Sequence, residues 1–154
     1  MQRRRAVDLE RLLRPHVQRS SAPSRRSLLV ACVEGEQHEL GARTVADPLE
    51  LNGCRTSFLG ANLPPRELAA LLRRTRHQPD LIALPATMPE HLVKLAATIA
   101  AIRDGSKIPI LVGGYLFHRS PNLAAQLGAD GCGDDAQEAV ALADLLMSRS
   151  SVTS

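Results

Sequence analysis

Aromatic residues and cysteine are scarce in this sequence. Its 154 residues include no Trp, one Tyr, two Phe and three Cys. Single-stranded nucleic acids are commonly bound by stacking bases on aromatic side chains, so this composition argues against a stacking platform. Cys32, Cys54 and Cys132 are odd in number and form no Cys-x-x-Cys pair. Neither a disulfide framework nor a structural zinc site is therefore expected.

Long apolar runs are also lacking. The longest, Leu28 to Val33, is far too short to cross a bilayer. No apolar core of a signal peptide follows the N-terminal arginines. These features predict a cytoplasmic chain without membrane association. The length fits one domain, and the hydrophobic fraction of 44% is that of an ordinary globular protein.

Positive charge is concentrated at the start of the chain, where arginines crowd the residues before Ser27. We interpret this run chiefly as a solvated, partly helical tail, while contact with nucleic acid or an acidic partner stays open. The predicted organisation is a basic N-terminal segment and linker at 1–26, one domain at 27–148 and a disordered tail at 149–154.

From Ser27 onward, apolar runs alternate with helical segments, which is the pattern of βαβ units and a parallel sheet. Strands are predicted at 28–33, 55–59, 81–84 and 108–112, with a fifth near Cys132. Helices are predicted from the loop after the first strand to about 51, and then at 65–77, 89–103, 121–127 and 136–147. This pattern fits an α/β fold with a flavodoxin-like five-stranded sheet, strand order 2-1-3-4-5, and helices on both faces.

The loop after the first strand carries the most informative motif, Glu36-Gln37-His38-Glu39-Leu40-Gly41. Open parallel sheets bind ligands outside the carboxyl ends of their strands, so the imidazole of His38 stands where a ligand would bind. A carboxylate such as Glu36 can fix the tautomer of a metal-ligating histidine. The alternatives are that His38 is only solvated and that Glu36 is a helix N-terminal carboxylate favoured by the dipole.

Two other loops should converge on the same crevice. The loop after the third strand carries Pro85-Ala86-Thr87, and the fourth strand ends in Gly113-Gly114. Glycines there would let the backbone approach a ligand closely. A tight turn is the alternative explanation of the glycine pair.

The spacing Glu-x-His-x-x-Gly resembles the Asp-x-His-x-x-Gly signature of cobalamin-binding domains, in which histidine replaces the cofactor's benzimidazole as lower ligand to cobalt. The resemblance extends over nearly all of 27–147. It is strongest to the cobalamin-binding module of light-sensing MerR-type transcriptional regulators, which use adenosylcobalamin. The segments that carry it are Gly35 to Gly41, Leu59-Gly60-Ala61-Asn62-Leu63-Pro64, Leu111-Val112-Gly113-Gly114, Gly128-Ala129-Asp130-Gly131 and Asp134-Asp135-Ala136.

This resemblance implies that cobalamin, in its adenosyl or methyl form, binds with His38 on the cobalt. The residues that it places at the cofactor are Glu36, Gln37, His38, Gly41, Leu84, Pro85, Thr87, Gly113, Gly114 and Tyr115. The implied role is a regulatory or sensor subunit, not an enzyme, with a protein partner or a second copy over the upper cofactor face. His16, His77, His91 and His118 are interpreted as surface or helix-end residues.

Two departures from the family pattern bear on this interpretation. Pro85 stands where the family commonly has Ser, and Thr87 is the nearest hydroxyl that could replace it. The residues before Ser27 are also too few for the winged helix and helical bundle of the photoreceptors. Two alternatives therefore stand beside the sensor: a methyl-corrinoid carrier for a methyltransferase, and a degenerate interaction scaffold.

Overall fold

The computed structural model describes residues 26–35, 39–59, 62–120 and 122–150. The strands, β1 to β5, are Ser27–Val30, Arg55–Phe58, Leu81–Pro85, Ile110–Gly113 and Gly131–Gly133. The helices, α1 to α6, are Glu39–Leu51, Pro65–Arg74, Leu92–Arg103, Tyr115–His118, Leu123–Leu127 and Ala136–Ser150, and a 3₁₀ turn at Pro89–His91 precedes α3. The predicted N-terminal segment lies outside the described residues, except for Arg26.

The five strands form one parallel sheet in the order β2-β1-β3-β4-β5. Val30 is in register with Ala83, and Leu84 with Val112. Since β1 lies between β2 and β3, the sheet grows in opposite directions from that point. The predicted flavodoxin-like fold is confirmed, and its switch point lies between β1 and β3.

Side chains that alternate along the strands build a separate core on each face of the sheet. Leu29 belongs to the core formed with α2 and α3, whereas Leu28 and Val30 belong to the core formed with α1 and α6. These three side chains are almost completely buried. Full burial of such a side chain contributes about 1.5–3 kcal/mol. Continuous apolar runs are therefore required in these strands, because both faces are covered.

Two predicted boundaries are wrong by a few residues. β1 ends at Val30, although the chain stays buried to Val33, which forms an isolated parallel bridge with Leu63. Helix α2 ends at Arg74 instead of His77. The side-chain amide of Gln78 donates to the carbonyl oxygens of Leu72 and Thr75, at 2.6 and 2.8 Å. Those bonds satisfy carbonyl groups at the helix end without a further helical turn.

Two helical segments differ from the sequence prediction. A single turn, α4, follows Gly114 where a loop was expected, and it places Phe117 in the core. Helix α6 continues to Ser150, three residues beyond its predicted end at 147. Among the described residues, no helix is both long enough and apolar enough to cross a membrane.

Candidate cofactor site

A cavity of about 380 Å³ lies over the carboxyl end of the sheet, between the sheet and helices α1 and α6. The strands β1, β3 and β4 contribute its floor, and the first turns of α1 and α6 contribute its sides. The loops after β3, β4 and β5 complete the wall. The cavity therefore lies at the switch point, where open α/β sheets bind their ligands.

Most of the predicted site residues meet around this cavity. Residues from three separate segments of the chain line it: Gly41, Leu84, Pro85, Thr87, Gly113, Gly114 and Tyr115. The remaining three, Glu36, Gln37 and His38, lie outside the described residues. They connect Gly35 to Glu39, the first residue of α1, and α1 lines the cavity from Gly41 to Val45. The loops after β3 and β4 thus converge on one crevice, as the sequence predicted.

The wall of the cavity changes in character with depth. Its floor is apolar and buried, with Leu28 at 0% and Leu111 at 3% exposure. Polar wall residues lie nearer to solvent: Thr87 is half-buried, while Thr44, Asp134, Asp135, Tyr115 and His118 are exposed. An apolar interior with a polar rim suits a ligand that has one apolar part and one solvated part.

Gly114 and Gly41 were both predicted at the cofactor, but the surroundings of the two glycines differ. Gly114 has φ of +123°, and a Cβ at this position would lie 2.9 Å from the carbonyl carbon of Ala86 and closer still to its oxygen. The turn therefore requires glycine for the protein's own packing. At Gly41 an added Cβ would meet no atom within 4 Å. Gly41 therefore leaves open space at the side of the cavity.

Pro85 and Thr87 occupy neighbouring parts of the same wall. Pro85 is the last residue of β3, in register with Gly113, and has no hydroxyl to present to the cavity. Thr87, two residues later, is half-buried and lines the cavity as well. Thr87 is therefore the hydroxyl-bearing side chain of the loop after β3 that lies on this wall.

The start of the histidine-bearing loop is held by two other parts of the chain. The backbone N–H of Gly35 donates to Oδ1 of Asn62, in the loop after β2, at 2.8 Å. The carboxylate of Glu34 lies 2.9 Å from Nζ of Lys94 on α3. The two residues that precede Glu36 are therefore each held by another part of the chain: Gly35 by the loop after β2, and Glu34 by helix α3.

Sequence reasoning missed four residues of the cavity rim: Thr44, His118, Asp134 and Asp135. His118 was expected at a helix end, and it does end α4, but it also lines the cavity, with its ring 6.4 Å from that of Tyr115 and inclined by 17°. Asp134 and Asp135 were quoted only for the family resemblance. The N–H of Glu138 donates to Asp135 and that of Asp134 to Glu138, both at 2.8 Å, which caps α6. The Asp-x-x-Glu spacing is the sequence signal for that cap.

The thiols and acidic groups offer no other reactive or metal-binding centre in the described parts of the chain. Cys54 is buried, and this burial raises the pKa of its thiol to about 11. Burial also raises the pKa of Cys132. Neither thiol is activated as a nucleophile. No group of three or more His, Cys, Asp or Glu that could hold a metal occurs among residues 26–35, 39–59, 62–120 and 122–150.

A flavodoxin-like sheet with an apolar cavity at its switch point defines an α/β ligand-binding domain. Comparison with known families is more specific: the model of the B12 binding domain matches residues 26–141. The chain belongs to the B12-binding domain family.

A transcriptional repressor is similar to most of this chain. The chain is 29% identical over 140 residues to the HTH-type transcriptional repressor CarA of Myxococcus xanthus, a match that covers 89% of this chain and 47% of the relative. The chain thus spans about half the length of that protein.

Two solved structures share the fold. A cobalamin-binding protein of Desulfitobacterium hafniense is similar with a TM-score of 0.69 and 20% identity, over 80% of this chain and 60% of that one. The methanol:cobalamin methyltransferase complex of Methanosarcina barkeri has a TM-score of 0.69 and 23% identity, over 83% and 49% of the two chains.

Proposed function

We propose that this chain is a cytoplasmic cobalamin-binding module that acts as a regulatory or sensor subunit and holds cobalt through His38. One observation carries the proposal. Seven residues that the sequence assigned to a cofactor, on three separate segments, line a single cavity at the switch point of the sheet. The family match over residues 26–141 supports cobalamin as the ligand.

The residues present fit this cofactor. A volume of about 380 Å³ is at the lower end of the range for ligand pockets, about 300–1,000 Å³, so the cavity suits a nucleotide tail and not a whole corrinoid. The position of Gly41 leaves room beside the tail. His38 immediately precedes α1 in the sequence, and Glu36 is the carboxylate that would orient its imidazole. When bound, the corrinoid supplies the cobalt, and the role of the chain is to bind and orient it.

The regulatory role is supported by similarity to a transcriptional repressor over 89% of this chain. A protein partner or a second copy would cover the face of the cofactor that the module leaves exposed. Tyr115, on the cavity rim, is 69% exposed, and Met88, next to the wall residue Thr87, is 42% exposed. Exposed apolar and aromatic side chains beside a ligand site favour such a contact.

Titration of the purified chain with hydroxocobalamin tests the proposal. Binding should shift the absorbance of the corrinoid, because a histidine nitrogen replaces its original lower ligand. Electron paramagnetic resonance of the cobalt(II) form, with ¹⁵N-labelled histidine in the protein, would show whether the nitrogen on cobalt comes from the chain. Absence of binding to every corrinoid would reject a cobalamin module and favour the degenerate scaffold for which Pro85 argues.

A methyl-corrinoid carrier is the second candidate, and similarity to the methanol:cobalamin methyltransferase complex favours it. A carrier should bind methylcobalamin at least as well as adenosylcobalamin and should exchange the methyl group with a methyltransferase. A sensor should prefer adenosylcobalamin. Competition between the two forms for the chain separates the two functions.

A further inference from the structure

We propose that the cavity selects corrinoids by their lower base, accepting an apolar benzimidazole and disfavouring an adenine. The inference rests on the proposed function, because it requires the nucleotide tail to enter the cavity. It follows from the distribution of polar groups over the described part of the wall.

The deep part of the wall offers apolar surface. Leu28, Leu111 and Ala139 are buried at its base, at 0%, 3% and 6% exposure. Ala83 lies on β3, the central strand, and is nevertheless only half-buried. The cavity opens directly over this alanine and exposes its methyl group. A flat apolar ring placed over Ala83 would contact carbon atoms of the sheet.

Several polar groups near the cavity already have partners within the protein. The hydroxyl of Thr44 donates to the carbonyl oxygen of Gly41 at 2.7 Å. At the N-terminus of α6, Asp135 accepts from the N–H of Glu138, and Glu138 accepts from the N–H of Asp134. Thr44, Asp134 and Asp135 are all exposed, so they lie at the rim and not at the base. In the described wall, the fully buried side chains are apolar, and Thr87 is a half-buried side chain with a hydroxyl.

The two bases differ in the polar groups that would enter this interior. Dimethylbenzimidazole has methyl groups and a single free ring nitrogen, whereas adenine adds an exocyclic amine and further ring nitrogens. Burying these groups without partners is unfavourable, because their hydrogen bonds to water are lost. One unmatched group of this kind should weaken the affinity for the adenine corrinoid by about 10- to 100-fold.

Equilibrium binding to the full chain tests the inference with three corrinoids: cobalamin, the analogue with adenine as lower base, and cobinamide, which has no nucleotide. Cobalamin should bind most tightly, and the adenine analogue about 10- to 100-fold more weakly. Equal affinities for the two bases would overturn the selectivity. Equal affinities for cobalamin and cobinamide would show that the base is not held in the cavity. Both results would leave the cobalamin module intact, whereas failure of all three to bind would reject the module itself.

Two variants place a hydroxyl on the cavity wall with little change in volume. Val45→Thr and Ala83→Ser should both reduce the preference for cobalamin over the adenine analogue, because the new hydroxyl can pair with polar groups of adenine. Ala101→Ser is the matched control, since Ala101 is a half-buried alanine in a groove between α2 and α3. The preference of Ala101→Ser for cobalamin over the adenine analogue should equal that of the wild type. Circular dichroism establishes that each variant is folded. An unchanged preference in both folded variants would overturn the inference.

Discussion

The side-chain oxygen of Asn62 accepts a hydrogen bond from the backbone N–H of Gly35, at 2.8 Å. Asn62 has φ of +68°, in the left-handed region that asparagine adopts more readily than most residues. Gly35 directly precedes Glu36, the first residue of the histidine-bearing motif. The exposed ion pair between Glu34 and Lys94 is a second contact at the start of this loop, and it contributes at most about 1 kcal/mol.

Replacement of Asn62 should therefore loosen the start of this loop. Asn62→Gly keeps the left-handed backbone accessible but removes the acceptor. We expect faster hydrogen exchange at the Gly35 amide and cobalt ligation about two- to tenfold weaker, the effect of one hydrogen bond. Asn62→Asp retains an acceptor and should stay close to the wild type. Unchanged exchange at Gly35 in Asn62→Gly would show that this bond does not hold the loop.

His38→Ala should abolish the absorbance shift that accompanies histidine ligation of cobalt. Some corrinoid can remain bound through its nucleotide tail, because the cavity itself is unchanged. His118→Ala is the necessary comparison, since His118 also lines the cavity. His77→Ala, exposed three residues beyond the end of α2, is the control that should match the wild type. Loss of the shift in His118→Ala, with retention in His38→Ala, would assign the cobalt ligand to α4.

Glu36→Gln should preserve the fold and weaken cobalt ligation by about tenfold, because a carboxylate that orients a ligating imidazole also raises its basicity. Corrinoid titration followed by absorbance measures this change. If the affinity is unaltered, Glu36 serves only as a helix N-terminal carboxylate.

Gly114→Ala should lower the free energy of unfolding by at least about 2 kcal/mol. The new methyl group would overlap the backbone of Ala86, and the φ of +123° would be strained for alanine. Gly105→Ala is the control, because a Cβ there meets nothing within 4 Å, and it should change stability by less than about 0.5 kcal/mol. Urea denaturation monitored by circular dichroism compares the two. Equal stability of both variants would contradict the close approach of Gly114 to Ala86.

Gly41→Ala should raise the stability of the protein and lower its affinity for corrinoid. Alanine favours the helix over glycine, so the free energy of unfolding should rise by roughly 0.5 kcal/mol. The added methyl group also enters the open space beside the cavity, so corrinoid affinity should fall. Denaturation and corrinoid titration on the same preparation measure both effects. A more stable variant with full affinity would show that the ligand does not approach Gly41.

The sequence was sufficient for the sheet and for most of the loops around the cavity. Continuous apolar runs such as Leu28 to Val33 indicate a strand that is buried on both faces, and such a run is a local property of the chain. Strand alternation then predicted the order 2-1-3-4-5, and the order predicted that Pro85 and Gly113 would meet. Their pairing at the ends of β3 and β4 confirms this part of the prediction.

Long-range contacts decided the remaining features. Gly114 is a glycine because of Ala86, the residue that directly follows β3, so a residue expected to admit a ligand is required by packing. Asn62 and Gly35 lie 27 positions apart in the sequence, and each follows one of the paired strands β1 and β2.

The sequence by itself thus determined which segments become strands and which loops reach one edge of the sheet, because burial periodicity and turn residues act over a few positions. Only the tertiary structure decided the shape and chemistry of the site. The cavity between the sheet and helices α1 and α6, its apolar floor and the place of His118 on its rim depend on how separate helices pack against one sheet. No local pattern encodes that packing, because each contact joins residues that are distant along the chain.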